Sequence, residues 1–587
     1  MRGNRSFGSN PGVYVLSRRE ESNKIKISNK TIAGFIGVAR KGPVDEAVRI
    51  TDFNRYLEIF GGFESVGYLP YSVYTFFNSG GKECYVVRTA HGGERGLASA
   101  QIEVPGLFGN STLCLYAASP GSWGNTLSLR VWHSKDASLE YKIRRGSRRM
   151  ISVLLGDCLP GDTLRIFYSD GVSDYFNVTG QAASEGHLNI PYTRDDEEPP
   201  SVQRVGFNMT LSDGRRTEDF LYMSRRHDDD RYFFDMLEKS RIVRITPPKK
   251  RGDASLWFPK EIGMGRFSGG RDGIVGLSAG DFIGYFKGLN DNRGLGIFES
   301  LPDVSLLCAP DAGLFDQLYP EDSALAGDYA HAVRRAMIDQ AERLGDRFAL
   351  LDASDSDDLQ EVLRSAKRYD SSHAALYYPE IEILDPLAPG GDATVNVPPS
   401  GAVAGIIARC DHEEGRYRAP AGIFIPGAVG TKWIVDDESY QMLYDAGVNG
   451  MKRIPGRGIK LWGARTLSSD PQWRYINVRR TFSLLAGAIK KGTGWAVFEP
   501  NTPGLRKRIV RHVSAFLIDM WRKGYLAGKT PEEAFFIRCD DELNSPEQID
   551  AGIITTMVGL SITKPVEFIV VTLNAVRDDA NVVIEEA

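Results

Sequence analysis

The sequence predicts a mixed α/β and α+β protein of several domains, with a β-rich insertion in its first half and extended segments at both ends. Three observations carry this expectation. The 587 residues are more than one core organises, given ~100–200 residues per domain. Apolar strands alternate with amphipathic helices from Asp272 to about Asp411, the pattern of an α/β layer. From about Gln101 to Gly270 only short strand-like runs occur, separated by turn-rich stretches such as "RDDEEPP" and "TPPKKRGD".

Taken in order, the elements follow from periodicity. Lys24, Ile25, Lys26, Ile27 and Ser28 alternate polar with apolar, as a strand with two different faces does, whereas Thr31 to Ala39 is almost wholly apolar, as a buried strand is. In "TDFNRYLEIFGG" Phe53, Tyr56, Leu57 and Phe60 recur at helical spacing, and Gly61-Gly62 ends the helix. A second helix spans about Pro70 to Asn78, and the strand "KECYVVRTA" follows. The insertion offers "TLSLRVWH", "ISVLLG", "TLRIFYS" and "YFNVTG" as strands. After it, "VSLLCAP", "RFALLDA" and "SHAALYYPEIEI" are separated by the helices "DSALAGDYAHAVRRAMIDQAERLG" and "SDDLQEVLRSAKRYD". From about Asp445 a helix, a strand, a helix and two strands lead to "PVEFIVVTLNAV". The resulting segments are 1–28 (extended arm), 29–100, 101–270 (β-rich insertion), 271–440 (α/β), 441–564 and 565–587 (strand arm and tail).

Composition narrows the function. With 42% hydrophobic and 25% charged residues the chain is ordinary for a globular protein. A formal charge of -5 gives no global field for nucleic acid, so a charge-driven partner has to meet a local patch. The six cysteines lie far apart without a Cys-x-x-Cys pair, which calls for neither zinc nor a disulfide framework. The start lacks the apolar core of a signal peptide, and no run reaches the ~18 apolar residues of a membrane helix. The expectation is a protein made and kept in the cytosol unless a larger particle carries it out.

Four motifs invite chemistry. "GLSAG", Gly276–Gly280, matches the nucleophile elbow of serine hydrolases, yet Ser278 with Asp281 also fits a helix cap. "DHEEG", Asp411–Gly415, lacks the second histidine of a zinc-protease helix and is expected to be a solvated helix end. "IPGRGIK", Ile454–Lys460, has no phosphate-loop spacing and is expected to be a turn; "RGD", Arg251–Asp253, is a loop triplet. No cofactor or metal is called for. The segment "NTPGLRKRIVRHVSAFLIDMWRKG" is more informative. Asn501 or Thr502 caps a helix, Pro503 suits its first turn and Gly524 stops it. Leu505, Ile509, Val513, Phe516, Leu517 and Met520 share one face, and Lys507, Arg508, Arg511 and Arg522 the other. That basic face is either simply solvated or a docking surface for an acidic partner.

Several stretches together resemble the contractile tail sheath family of phages, bacteriocins and related injection systems. They are "PGVYV", "TIAGFIGVARKGP", "ITDFNRYLEIFGG", "GGKECYVVR", "ASPGSWGNTLSLRV", "ALYYPEIEI", "VPPSGAVAGIIARCDHEEGRYRAPAG", "GVNGMKRIPGRGIKLWGARTLSSDPQWRYINVRR", "WAVFEPNTPGLRKRIVRHVSAFLIDMWRKGYLAG" and "AFFIRCDDELN". They span both ends and the middle, leaving about Gln101–Gly270 largely unmatched.

The resemblance implies a non-enzymatic subunit, without cofactor, that polymerises in hexameric rings or helical strands around an inner tube and shortens when a baseplate triggers it. It makes 29–100 and 271–440 parts of a sheath core, 101–270 an outward domain and 441–564 an inner, tube-facing one. Its implied partners are other copies of itself, the tube protein, and baseplate and terminator or cap proteins, with no direct contact to nucleic acid or membrane. Its implied place is the cytoplasm of the producing bacterium, then a virion or injection particle. It further implies that Lys507, Arg508, Arg511 and Arg522 face the tube. Terminal arms, about Pro11–Ser28 and Pro565–Leu573, would add strands to neighbouring subunits through Val13, Tyr14, Val15, Lys24, Ile25, Lys26, Ile27, Phe568, Ile569, Val570 and Val571. Pairing of both arms within their own chain is the alternative. A serine hydrolase using Ser278 and a non-contractile binding module on a sheath-like core are the rival functions.

Overall fold

The computed structural model describes all residues except 1–24, 29, 64–66, 93–95, 109–111, 146–148, 155–157, 179–182, 185–186, 193–200, 247–256, 289–290, 389–392, 566–570, 575–582 and 587. The chain divides into two compact units, the larger made of 31–409 and 421–468, the smaller of 1–30, 410–420 and 469–587.

The larger unit is built on a nine-stranded sheet. Its spatial order is Ala47–Ile50, Cys84–Arg88, Ile32–Gly37, Val304–Cys308, Phe348–Asp352, Ala374–Tyr378, Val448–Ile454, Gly458–Trp462 and Ile423–Phe424. The six strands from Cys84–Arg88 to Val448–Ile454 run parallel, and antiparallel strands flank them. Ile32–Gly37, Val304–Cys308 and Ala374–Tyr378 are buried along their whole length, which is why the sequence shows them as continuous apolar runs. Helices Ser323–Leu344 and Leu359–Ala366 connect successive parallel strands. Asp322 caps the first, accepting from the Leu325 N–H at 3.0 Å, and Gly345, with φ 69°, ends it.

Between Gln101–Pro105 and Ile262–Arg266 the described residues make three antiparallel sheets. One joins Gln101–Pro105, Thr112–Ala117 and Val243–Ile245; a second contains the long strands Ser128–Leu139 and Ser201–Ser212; a third pairs Tyr141–Arg145, Arg149–Leu154, Ala183–Ser184 and His187–Tyr192. Two apolar clusters support them, one around Phe207, Trp257 and Phe258 and one around Ile151, Leu164 and Ile190. The insertion leaves and rejoins the body side by side. Ala98 and Arg271 exchange backbone hydrogen bonds at 3.1 and 3.0 Å, and Gln101 and Ser268 at 2.8 and 3.0 Å.

The hairpin Val448–Ile454 and Gly458–Trp462, which sequence reading assigns to the C-terminal domain, hydrogen-bonds into the large sheet through Ala374–Tyr378. The C-terminal part of the smaller unit therefore begins near Ser469. Its core combines helices Ile476–Gly492 and Pro503–Arg522 with the strand pair Phe535–Arg538 and Met557–Leu560. Ile25–Ser28 forms no strand. Ile25 and Ile27 instead pack, partly buried, on this core. Ile25 lies so close to Gly492 that a Cβ there would stand 2.4 Å from Ile25 Cγ1, so only glycine admits it. Val571–Asn574 pairs with Val583–Glu586 of its own chain. Val13, Tyr14, Val15, Lys24, Phe568, Ile569 and Val570 lie outside the described residues, as does the Arg251–Asp253 triplet.

Candidate functional site

The helix Pro503–Arg522 is set by local chemistry. Thr502, not Asn501, is its N-cap, accepting from the Leu505 N–H at 3.2 Å; Asn501 donates to the Ile553 carbonyl at 3.0 Å. Gly524 follows its C-terminus at φ 84°. The six apolar residues expected on its inner face are all buried, and Arg506 is buried with them. Its guanidinium reaches the Asp541 carboxylate at 2.7 Å, a partner too distant in sequence for periodicity to reveal.

Lys507, Arg508, Arg511 and Arg522 are all exposed. They share one side of the helix but do not form one cluster. Lys507, Arg508 and Arg511 lie within about a turn of each other, whereas Arg522 is ~16 Å farther along at 1.5 Å per residue. Arg508 is engaged by its own chain, with Glu499 at 3.1 Å and the Trp495 ring at 5.0 Å. The macrodipole favours Arg522 in the last turn but gives no reason for cations in the N-terminal half. Beside it the loop before the helix holds Phe498, fully exposed and at φ 69°, and the exposed Val497.

A second constellation lies inside the smaller unit. Asp411, expected at a solvated helix end, is 1% exposed. It receives both Arg480 guanidinium nitrogens, Nη1 at 3.0 Å, with Arg416 Nε 3.4 Å away. Burial lowers the Arg416 pKa to about 10 while Asp411 opposes the shift. Arg416 Nη2 donates to the Lys30 carbonyl at 3.0 Å, so the carboxylate, through Arg416, fixes the backbone that follows Ile25–Ser28. The other charged residues of that stretch, His412, Glu413 and Glu414, are exposed.

Ser278 is used as a cap. It begins the five-residue helix Ala279–Ile283, its N–H and its Oγ both donating to Asp281 Oδ2 at 2.9 Å. His91 Nδ1 stands 3.2 Å from that same Oδ2. A nucleophilic serine needs the imidazole as its base, and here Ser278 Oγ bonds the carboxylate instead. The strand before it ends at Arg266, so the strand-to-helix elbow is missing as well. Ile454–Lys460 is the turn and flank of the hairpin described above, with Gly456 at φ 69° and Gly458 at φ 103°. No group of three or more metal-capable side chains occurs among the described residues.

Residues 319–467 match the phage tail sheath protein central domain, and 468–575 the phage tail sheath C-terminal domain. Across 319–575 the chain is therefore similar to tail sheath proteins. The two matches meet at 467/468, one residue from the last division between the units at 468/469, while 410–420 of the smaller unit lies within the central-domain match. A putative prophage major tail sheath protein of Pseudomonas aeruginosa is 31% identical over 225 residues, covering 38% of this chain and 55% of that one. The tail sheath protein of Escherichia phage P2 is 23% identical over 211 residues, covering 35% and 50%. The chain thus spans about half the length of these curated relatives. The fold is shared with the anti-feeding prophage helical sheath in its contracted state, with TM-score 0.51 and 18% identity over 97% of this chain and 100% of that one.

Proposed function

We propose that this chain is the subunit of a contractile sheath that polymerises helically around an inner tube and shortens to drive the tube through a target envelope. The observation that carries the reading is the consecutive match of both sheath domains, divided one residue from where the structure last divides. The stroke uses no catalytic centre. Its energy resides in a metastable lattice that relaxes through new subunit contacts.

Within that reading, Lys507 and Arg511, with Arg508 shared between Glu499 and the partner, dock an acidic tube surface. Exposed ion pairs contribute only ~0–1 kcal/mol each, weak enough for release during contraction and numerous enough in a lattice to hold the extended state. The terminal arms link neighbours by strand addition. Support comes from the two-stranded sheet Phe535–Arg538 and Met557–Leu560, which has no third strand among the described residues, and whose Phe536 and Met557 are exposed. An open edge of this kind accepts an added strand through main-chain hydrogen bonds. Segments 29–100 and 271–440, together with the hairpin Val448–Trp462, form the core, the remainder of 441–564 the inner wall and 101–270 the outer surface. Partners are further copies, a tube protein, and baseplate and terminator or cap proteins; assembly takes place in the bacterial cytoplasm.

Electron microscopy of the purified chain, alone and with its tube protein, tests the function. A sheath subunit gives hollow cylinders, and tube-filled ones when the tube is supplied. Persistent monomers under both conditions would instead favour a binding module.

A further inference from the structure

The insertion contains a cavity of about 60 Å³. A water needs ~10–15 Å³ of such space, so the cavity takes a group of about four or five heavy atoms. Four arginines line it, with Thr163 in its wall and Tyr222 at its rim. Three of the arginines are neutralised by their own chain. Arg204 reaches Asp136 at 2.8 Å, Arg231 reaches Asp136 and Asp229 at 3.1 Å each, and Arg226 reaches Asp228 at 2.9 Å.

Arg225 differs. It is 4% exposed and donates to two backbone carbonyls, Gly161 at 2.5 Å and Asp162 at 3.1 Å. Among the described residues no carboxylate is in ion-pair contact with it, the buried Asp162 carboxylate of the same cavity lying nearer Arg226 and Arg204 and acting on Arg225 only from farther away, and its Nη1 has no hydrogen-bond partner. The Phe108 ring, 5.7 Å away, holds the guanidinium from one side. Thr163 Oγ1, on a residue 2% exposed, is likewise without a partner. Two orphaned donors thus belong to the wall of one cavity, and one of them carries a buried charge with no carboxylate in direct contact among the described residues. Buried charges are paired in folded proteins because an unpaired one is strongly penalised. Tyr222 holds a left-handed backbone at φ 55°, a strained conformation of the kind retained at binding sites. It is exposed, and Arg231 is partly so, giving the cavity access to solvent.

We propose that this cavity binds a small oxyanion, a phosphate or carboxylate group, through Arg225 Nη1 and Thr163 Oγ1. Its residues lie outside the two matched sheath domains, and the inference does not depend on the sheath reading. Water alone would satisfy Thr163 but would leave the Arg225 guanidinium without an anion in direct contact.

Equilibrium dialysis of radiolabelled inorganic phosphate against the intact chain, with chloride at matched ionic strength, tests it. The wild type is expected to bind one phosphate saturably. Thr163→Val, nearly equal in shape, weakens binding about tenfold or more by removing one hydrogen bond to a charged group, and Arg225→Gln abolishes it. Circular dichroism checks that each variant is folded, and if Arg225→Gln is not, Thr163→Val carries the test. Displacement of phosphate by acetate assigns the site to carboxylate groups generally, and failure of acetate to compete assigns it to phosphate. Absence of saturable binding to the wild type, or unchanged binding to folded Thr163→Val, overturns the proposal.

Discussion

Asp411 illustrates what a single residue decides. Its carboxylate lies between Arg480 and Arg416 with almost no access to water. Asp411→Ala leaves two buried guanidinium groups uncompensated, and the expected loss is ~3–5 kcal/mol of stability in the smaller unit, measured by denaturant unfolding. Nothing in "DHEEG" shows this, because burial is imposed by Arg480, which lies far along the chain. The Ser278 cap was legible, since both of its partners fall within one turn. Glu380 offers a pH test. Burial raises its carboxyl from the usual 4.5 to about 7, the Asp355 charge adding to this and Lys432 opposing it. The folded chain therefore keeps a proton that the unfolded chain gives up. The stability this contributes is full below about pH 4.5 and is lost as pH rises through about 7. Glu380→Gln keeps the neutral form at every pH, so its unfolding temperature relative to wild type should be higher at about pH 8 than at about pH 5. An offset independent of pH would refute the assignment.

At the scale of elements, the helix Pro503–Arg522 was legible from its cap, its period and its glycine stop, all local signals. Its subdivision into a basic triplet and a separate Arg522 emerges only from distance along the axis. The double variant Lys507→Glu, Arg511→Glu spares the Arg508–Glu499 pair and the buried face, so the helix should persist by circular dichroism while assembly on the tube weakens. Wild-type docking should also weaken with salt, as exposed charges are screened over ~8 Å at physiological ionic strength. Arg522→Glu should cost ~0.3–1 kcal/mol through the macrodipole and leave docking nearly intact. If the double variant sheathes tubes as well as wild type at low salt, the face is only solvated. The N-terminal segment calls for a different test. Alternation at Lys24–Ser28 suggested a strand, but the apolar core of the smaller unit and the opening at Gly492 take up Ile25 and Ile27. A chain lacking residues 1–24 is the reference for this test. Removing 1–28 should cost an additional ~1–3 kcal/mol, because two partly buried isoleucines go with it. If the arm is exchanged between subunits, both truncations fail to form stable cylinders.

Across the whole molecule, the α/β layer and the β-rich insertion were legible because strand and helix periods are written locally. The place where the chain passes from one unit to the other was not. Val448–Ile454 is drawn into the large sheet by pairing with Ala374–Tyr378, a long-range event that composition does not encode. The same distinction governs how the insertion can be cut away. Its two ends are adjacent, which suggests replacing Gln101–Gly270 outright. However, the fully buried Arg88 donates through Nη1 to the Pro120 carbonyl at 2.8 Å as well as to Gly42 at 3.0 Å, and the Gly42 N–H donates to Ser119 Oγ at 2.9 Å. Excision of the whole segment removes partners from a buried cation, and the body should lose ~1–3 kcal/mol or more. A smaller cut avoids this. Val202 pairs directly with Leu139 in the antiparallel ladder of Ser128–Leu139 and Ser201–Ser212, so a two-residue Asn-Gly turn can close these strands into a hairpin. That replacement removes 140–201, and with them the four-stranded sheet and the strands Thr163–Phe167 and Ser173–Asn177 of the second sheet, while the Pro120 and Ser119 contacts remain. The expected result is a soluble chain with unfolding of the body unchanged and cylinders still formed, whereas the full excision unfolds earlier. Equal destabilisation by both cuts would show that the body depends on the outer sheets themselves rather than on the contacts at Arg88.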